Sequence, residues 1–185
     1  MTAHILVPVK RLDGAKSRLA GALTAREREE LVLEMLRHVI GAIRSADVGP
    51  VTLVSSAGVR MNGTDRFDDA GLQWNEALAR GMATVRKEIA VVISADLPRL
   101  GVDEVRKLVA AVPERGLAIA RAKDGGTNAV AMRPPGVMQT LFGEPGSAAL
   151  HEEAARRAGL EAVVLDLPGL AFDVDTPEDL AAWRS

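Results

Sequence analysis

The chain has 185 residues, of which 48% are hydrophobic and 26% charged, a balance that supports a packed globule and excludes a disordered chain. A formal net charge of −2 gives no electrostatic reason to expect nucleic acid or an anionic membrane as a partner. The absence of cysteine excludes a disulfide framework, a thiolate zinc site and a cysteine nucleophile.

The length suits one domain, 1–185, able to bury roughly 70% of its unfolded surface without a staple. The N-terminus runs directly into Ile5-Leu6-Val7, too short an apolar core for a signal peptide, and no stretch approaches the ~20 apolar residues of a membrane span. A cytoplasmic protein is expected. Residues 4–9 read as the first strand. After it come Lys10, Arg11, Gly14, Lys16 and Arg18, with Lys16-Ser17-Arg18-Leu19 at the end of the loop. Dispersed cations and a glycine between a strand and a helix suit a triphosphate, although a solvated surface loop carries the same charges. The spacing around Gly14 and Lys16 is not that of a P-loop, which needs a second, upstream glycine.

Thr24 and Glu27 form a capping box opening a helix over 25–45, whose apolar set Leu31, Val32, Met35, Leu36, Val39, Ile40 and Ile43 recurs at helical spacing. Pro50–Ser55 reads as the second strand and 74–88 as a helix, with Trp74, like Trp183, taken as a packing residue. The third strand, Ile89–Ser94, ends at Ser94-Ala95-Asp96-Leu97-Pro98, where Pro98 terminates extension. A carboxylate at that place is a hard-oxygen ligand suited to Mg²⁺, and also an ordinary turn residue.

A helix over 102–112 and a strand over Leu117–Ala122 precede Asp124-Gly125-Gly126-Thr127-Asn128, where paired glycines permit close backbone approach. A strand at Asn128–Met132, a turn at Pro134-Pro135-Gly136 and the segment Phe142-Gly143-Glu144-Pro145-Gly146-Ser147 follow. Thr127, Asn128 and Ser147 can bind an anion without adding charge, and Ser147 also suits the N-cap of a helix over 147–158. His151 lies one helical turn after Ser147. For His4, His38 and His151 a structural or exposed role is expected. The last strand, Ala162–Leu167, leads to Phe172-Asp173-Val174-Asp175-Thr176-Pro177 and a helix over 177–184. Capping by Asp175 or Thr176 explains the end of that motif but not Asp173, which alternates with Val174 on extended chain. Asp96 and Asp173, from separate strand ends, would together make a metal pair.

Short β-branched runs alternating with helices indicate a three-layer α/β fold with a largely parallel sheet, whose ligands gather at the carboxyl ends of the strands. Pro8-Val9-Lys10, Ala15-Lys16-Ser17-Arg18-Leu19, Trp74-Asn75-Glu76-Ala77-Leu78, Ala95-Asp96-Leu97-Pro98, Gly126-Thr127-Asn128-Ala129, Phe142-Gly143 to Ser147 with His151, and Asp173-Val174-Asp175-Thr176-Pro177 together resemble the 2-phospho-L-lactate and phosphoenolpyruvate guanylyltransferases. The resemblance spans nearly the whole chain. It implies a nucleotide-diphosphate-sugar-transferase-like (Rossmann-like) fold with a mostly parallel mixed sheet. It implies transfer of GMP from GTP to phosphoenolpyruvate, 2-phospho-L-lactate or 3-phosphoglycerate, with Mg²⁺, in coenzyme F-420 biosynthesis.

On the same grounds Asp96 and Asp173 are expected to hold the metal and, with Lys16, to act in catalysis. Lys10, Lys16, Arg18 and Asn75 are assigned to the nucleotide, and Thr127, Asn128, Gly143 and Ser147 to the acid. Partners are therefore GTP and a small phosphorylated acid, with a homodimer left open and no nucleic acid or membrane. The Asp-Leu-Pro and Asp-Thr-Pro-Glu-Asp-Leu elements also occur in nucleotidyltransferases acting on molybdopterin and sugar phosphates. A catalytically silent nucleotide-binding module on the same fold is the reading of a different class.

Overall fold

The computed structural model describes residues 2–9, 12, 14–55 and 58–185. Its seven-stranded sheet comprises β1 (Ala3–Pro8), β2 (Val51–Val54), β3 (Asp65–Phe67), β4 (Ile89–Ile93), β5 (Gly116–Arg121), β6 (Thr127–Arg133) and β7 (Glu161–Leu165), in the order β3-β2-β1-β4-β6-β5-β7. Every pairing is parallel except those of β6, which runs antiparallel to both β4 and β5. That reversal has a consequence for function. The start of β6 lies beside the end of β4, with Ala129 opposite Ile93 and Ser94 N–H donating to Asn128 O at 2.8 Å.

Helices α1 (Ala25–Ala46) and α3 (Val102–Ala110) cover one face, where Leu36, Val39, Ile43, Val105 and Leu108 pack on Ile5, Val7, Val91 and Ile93. The other face carries α2 (Trp74–Ala83) and α4 (Ser147–Arg157), with Leu78, Met82 and Ala155 against Leu6, Val92, Val130 and Met132. Short α5 (Pro168–Ala171) and C-terminal α6 (Pro177–Arg184) complete the order. Leu19, Leu31, Met35, Val174 and Leu180 form a third, smaller core. Burying a leucine or valine is worth roughly 1.5–3 kcal/mol. This core therefore ties a turn of 3₁₀ helix at Ser17–Leu19 to the segment around Val174.

The strands and main helices lie where hydrophobic periodicity predicts them, with ends shifted by one or two residues. Helix α2 is the exception, stopping at Ala83 instead of 88, because the Thr84 hydroxyl donates back to Gly81 O at 2.7 Å and closes the last turn. Thr24 and Glu27 make the predicted capping box, and of the two expected caps of α6 it is Thr176, with Asp179, that serves. Gly146, in the left-handed region at φ 67°, caps α4 without a side-chain bond, so Ser147 is the first helical residue and not the cap. β3 and α5 have no counterpart in the sequence reading, being only three and four residues long. Among the described residues no helix is long and apolar enough to cross a membrane.

Candidate active site

Residues 14–18 after β1, 94–96 after β4, the start of β6 and the segment 173–176 meet at the ends of the central strands. A cleft of about 390 Å³ opens there, walled by Gly14, Lys16, Arg18, Trp74, Asp96 and Asp175, with Pro8, Val9 and Val32 as apolar floor. Lys10, assigned to the nucleotide from the sequence, lies outside the described residues, as do Arg11 and Asp13. Val32 was grouped with the core stripe of α1. It is half-buried and faces the cleft instead.

Lys16 is no solvated surface charge. Its ammonium donates to Asp96 Oδ2 at 2.5 Å and to Asp175 Oδ1 at 2.7 Å, with the side chain only 10% exposed. Burial by itself lowers the ammonium pKa, but the charges of Asp96 and then Asp175 outweigh it, and the group lies above its ordinary value. Its backbone is left-handed (φ 50°, ψ 47°), a conformation that costs a non-glycine residue about 1–2 kcal/mol and persists only where its surroundings enforce it. Leu19 provides the anchor, wholly buried three residues on, while Arg28 Nε donates to Ala15 O at 3.1 Å. Arg18 projects outward, 74% exposed and 3.8 Å from Asp175 Oδ2.

Asp175 is a functional candidate beyond those the sequence assigns to the site, having been read there as one of two alternative caps with Thr176. The signal was present. Val174 is completely buried, so period-two alternation turns both Asp173 and Asp175 the other way. Asp173 receives the Asn128 amide at Oδ1, 3.3 Å away. Its carboxyl is pushed up, first by burial and then by the negative charge of Asp96, against the lowering effect of the Asn128 bond. The two carboxylates proposed from sequence thus repel each other across the site, which is the electrostatic signature of a place that a cation would relieve.

Among the described residues no group of three or more His, Cys, Asp or Glu side chains is arranged to hold a metal. Two carboxylates nevertheless fit Mg²⁺, which commonly takes one or two plus phosphates and water.

Asn128 connects this pair to the remaining candidates. Its amide donates to Leu170 O at 2.9 Å and, less closely, to Asp173, so both protons are used within the protein. Beside it, Thr127 accepts from the Ser147 hydroxyl at 3.0 Å, with Ser147 only 1% exposed. These hydroxyls face each other, whereas the sequence reading had them facing an anion. Their effect is to join the start of β6 to the start of α4, where Ala148 N–H also reaches Gly125 O.

His151 is fully buried. Its Nε2 accepts the Leu141 N–H at 2.9 Å, which leaves Nδ1 to carry the proton toward Ser147 O at 2.7 Å. Burial lowers its pKa, keeping the ring neutral and structural, as expected. Gly143 has φ 85°, with no atom within 4 Å of the place a Cβ would occupy, so its backbone is open to close approach. Asn75, assigned from sequence to the nucleotide, turns its amide to the chain at Thr140 and Phe142. Its neighbour Trp74 does two things: it packs partly against the core and also lines the cleft.

The family model described as guanylyl transferase CofC-like matches residues 3–183. The phosphoenolpyruvate guanylyltransferase of Sphaerobacter thermophilus is 43% identical, over 97% of this chain and 91% of its own. The 2-phospho-L-lactate guanylyltransferase of Methanosarcina barkeri is 33% identical, over 95% and 83%. In fold, a Desulfovibrio desulfuricans G20 structure assigned to the nucleotide-diphospho-sugar transferases superimposes with a TM-score of 0.77 at 21% identity, covering 97% of this chain and 85% of that one.

Proposed function

The chain belongs to the CofC-like guanylyltransferase family, and from that premise we propose that it transfers GMP from GTP to a small phosphorylated three-carbon acid, releasing pyrophosphate, as a step in coenzyme F-420 biosynthesis. Phosphoenolpyruvate is the first candidate acceptor, by similarity to the Sphaerobacter enzyme; 2-phospho-L-lactate and 3-phosphoglycerate are the others. The observation that carries this reading is the approach of two bonded sets, Arg18 and Lys16 with Asp175 and Asp96 on one side and Asp173, Asn128, Thr127 and Ser147 on the other, with the charge of Asp96 felt by Asp173 between them. It supports a nucleotide cleft and an acceptor subsite as neighbours at the ends of the central strands.

In the proposed reaction an oxygen of the acceptor phosphate attacks the α-phosphorus of GTP and the bond to pyrophosphate breaks. Phosphate monoesters are largely dianionic at neutral pH, with a second pKa of about 6, so the nucleophile needs no general base. That agrees with a site whose one nearby histidine is buried and neutral. Catalysis then rests on positioning and on neutralising charge. Lys16 and Arg18 would take the triphosphate, the loop around Gly14 would approach it through its backbone, and Trp74 would offer an indole face to the base. Asp96 and Asp173 would hold a divalent ion, Mg²⁺ in our reading, which supplies Lewis-acid neutralisation of phosphate charge when bound. On the acceptor side, the longer bond of Asn128, to Asp173, is the one a ligand oxygen can replace.

Incubation with GTP, Mg²⁺ and each acid in turn should release pyrophosphate with at least one of them and stop on chelation. Binding of GTP without pyrophosphate from any acid would mean a silent binding module. Asn128→Ala should raise KM for the acid several-fold more than KM for GTP, since one neutral hydrogen bond contributes about 0.5–1.5 kcal/mol. An equal rise in both would remove Asn128 from the acceptor side.

The nucleotide's place is open to a direct optical test. The chain has two tryptophans and no tyrosine. In a Trp183→Phe chain, GTP should quench the remaining Trp74 emission, and unchanged emission at saturating GTP would take the base away from that wall.

A further inference from the structure

We propose that Asn75 is a positioning residue for the acceptor acid, fixing the loop that delivers Gly143, and is not a ligand of the nucleotide. The amide is the second residue of α2. Its Oδ1 accepts the Phe142 N–H at 3.0 Å and the Thr140 hydroxyl at 2.8 Å, while its Nδ2 donates to Phe142 O at 3.1 Å. It therefore pairs with both backbone groups of one residue, as a neighbouring strand would. That pairing fixes the amide orientation, because a flipped amide would set its N–H groups against the Phe142 N–H. Two acceptor positions and one of two donors are consumed, and Asn75 is not among the residues lining the cleft.

The same short stretch is gripped from the opposite side. His151, on α4, accepts the Leu141 N–H at Nε2, and its ring meets Phe142 edge-on with centroids 5.6 Å apart. Residues 140–142 belong to no helix or strand, so their backbone groups have no ladder to join. Two side chains, from α2 and α4, take the place of one. The next residue is Gly143, with positive φ and open space at its Cα, so what the clamp determines is the direction in which that backbone faces the acceptor subsite. Trp74, the preceding residue of α2, lines the nucleotide cleft. The first turn of one helix thus touches both halves of the site.

This inference rests on the proposed acceptor position at Asn128 and Gly143. The test combines kinetics with amide exchange. In Asn75→Ala the KM for phosphoenolpyruvate, or whichever acid is turned over, should rise roughly tenfold with three hydrogen bonds gone. Saturated kcat should stay within threefold and GTP affinity, measured without acid, within twofold. The Phe142 amide should exchange faster with deuterium while amides of β1 and β4 stay protected. Asn75→Asp, nearly isosteric, keeps both accepted bonds and loses the donated one; it should fall between wild type and Asn75→Ala in both readouts.

A tenfold loss of GTP affinity with an unchanged acid KM would overturn the proposal in favour of a nucleotide ligand. Parallel losses in both, tracking a lower Tm, would reduce Asn75 to a fold residue. If Asn128→Ala and Gly143→Ala leave the acid KM unmoved, the acceptor position itself is wrong and the inference falls with it. If those two move it and Asn75→Ala does not, only the positioning role fails.

Discussion

Asp173→Asn is expected to lower turnover at least tenfold while leaving the melting temperature at neutral pH unchanged or higher. The two halves of that result have one cause. Burial pushes the Asp173 carboxyl above its ordinary range, and the charge of Asp96 pushes it further, so the folded protein holds this negative charge at a cost. A group whose folded pKa is raised favours the fold below its unfolded pKa and loses that contribution as pH rises through the folded value. Above that folded value the contribution is gone. An amide removes the charge while its oxygen can still accept from Asn128.

Catalysis loses what stability gains. A carboxylate clamp on a divalent ion supplies several kcal/mol in the transition state, and each 1.4 kcal/mol is tenfold in rate. Melting curves for both proteins between pH 4 and 8, beside pyrophosphate release at pH 7.5, check the prediction. The stability advantage of the variant should shrink as pH falls through the carboxylate range. Near-normal turnover would remove Asp173 from the site.

Lys16→Ala should reduce kcat/KM for GTP at least tenfold and, unlike Asp173→Asn, lower stability. Read from the sequence, the residue sits on a polar loop, and its loss should leave the fold intact. The structure changes that expectation, because the ammonium is held between Asp96 and Asp175 and its removal leaves two carboxylates without their shared partner. Breaking a fully buried pair costs about 3–5 kcal/mol; with Asp175 43% exposed, water screens part of it, and about 1–3 kcal/mol is expected. Relief of the left-handed backbone does not follow, since alanine is strained there as well.

The Lys16 pKa is raised, so its contribution to stability is fully present below the ordinary lysine value of about 10.4 and is lost only as pH rises through the higher folded value. Urea titrations at pH 7 and pH 11 should accordingly differ less for the variant than for wild type. Wild-type stability and kinetics in Lys16→Ala would mark the residue as a mere surface charge.

Within the chain itself lay everything that depends on local pattern: the strands β1, β4 and β6, the long amphipathic α1 with its Thr24–Glu27 box, and the placing of Asp96 and Asp173 just beyond hydrophobic segments. Periodicity and capping are short-range, so a single sequence expresses the long elements, while the Gly146 cap and the early end of α2 escape it. Tertiary structure decided which side chains meet. β6 runs antiparallel and carries Asn128 to the end of β4. The small core of Leu19 and Val174 brings Lys16 onto Asp175 from 159 positions away, and the Asn75 amide meets Phe142 from 67 positions away. A hydrogen-bonding side chain advertises its chemistry in the sequence but not its partner. The partner is chosen by burial of apolar residues elsewhere, which moves whole elements, and the polar groups then satisfy one another where those elements bring them together.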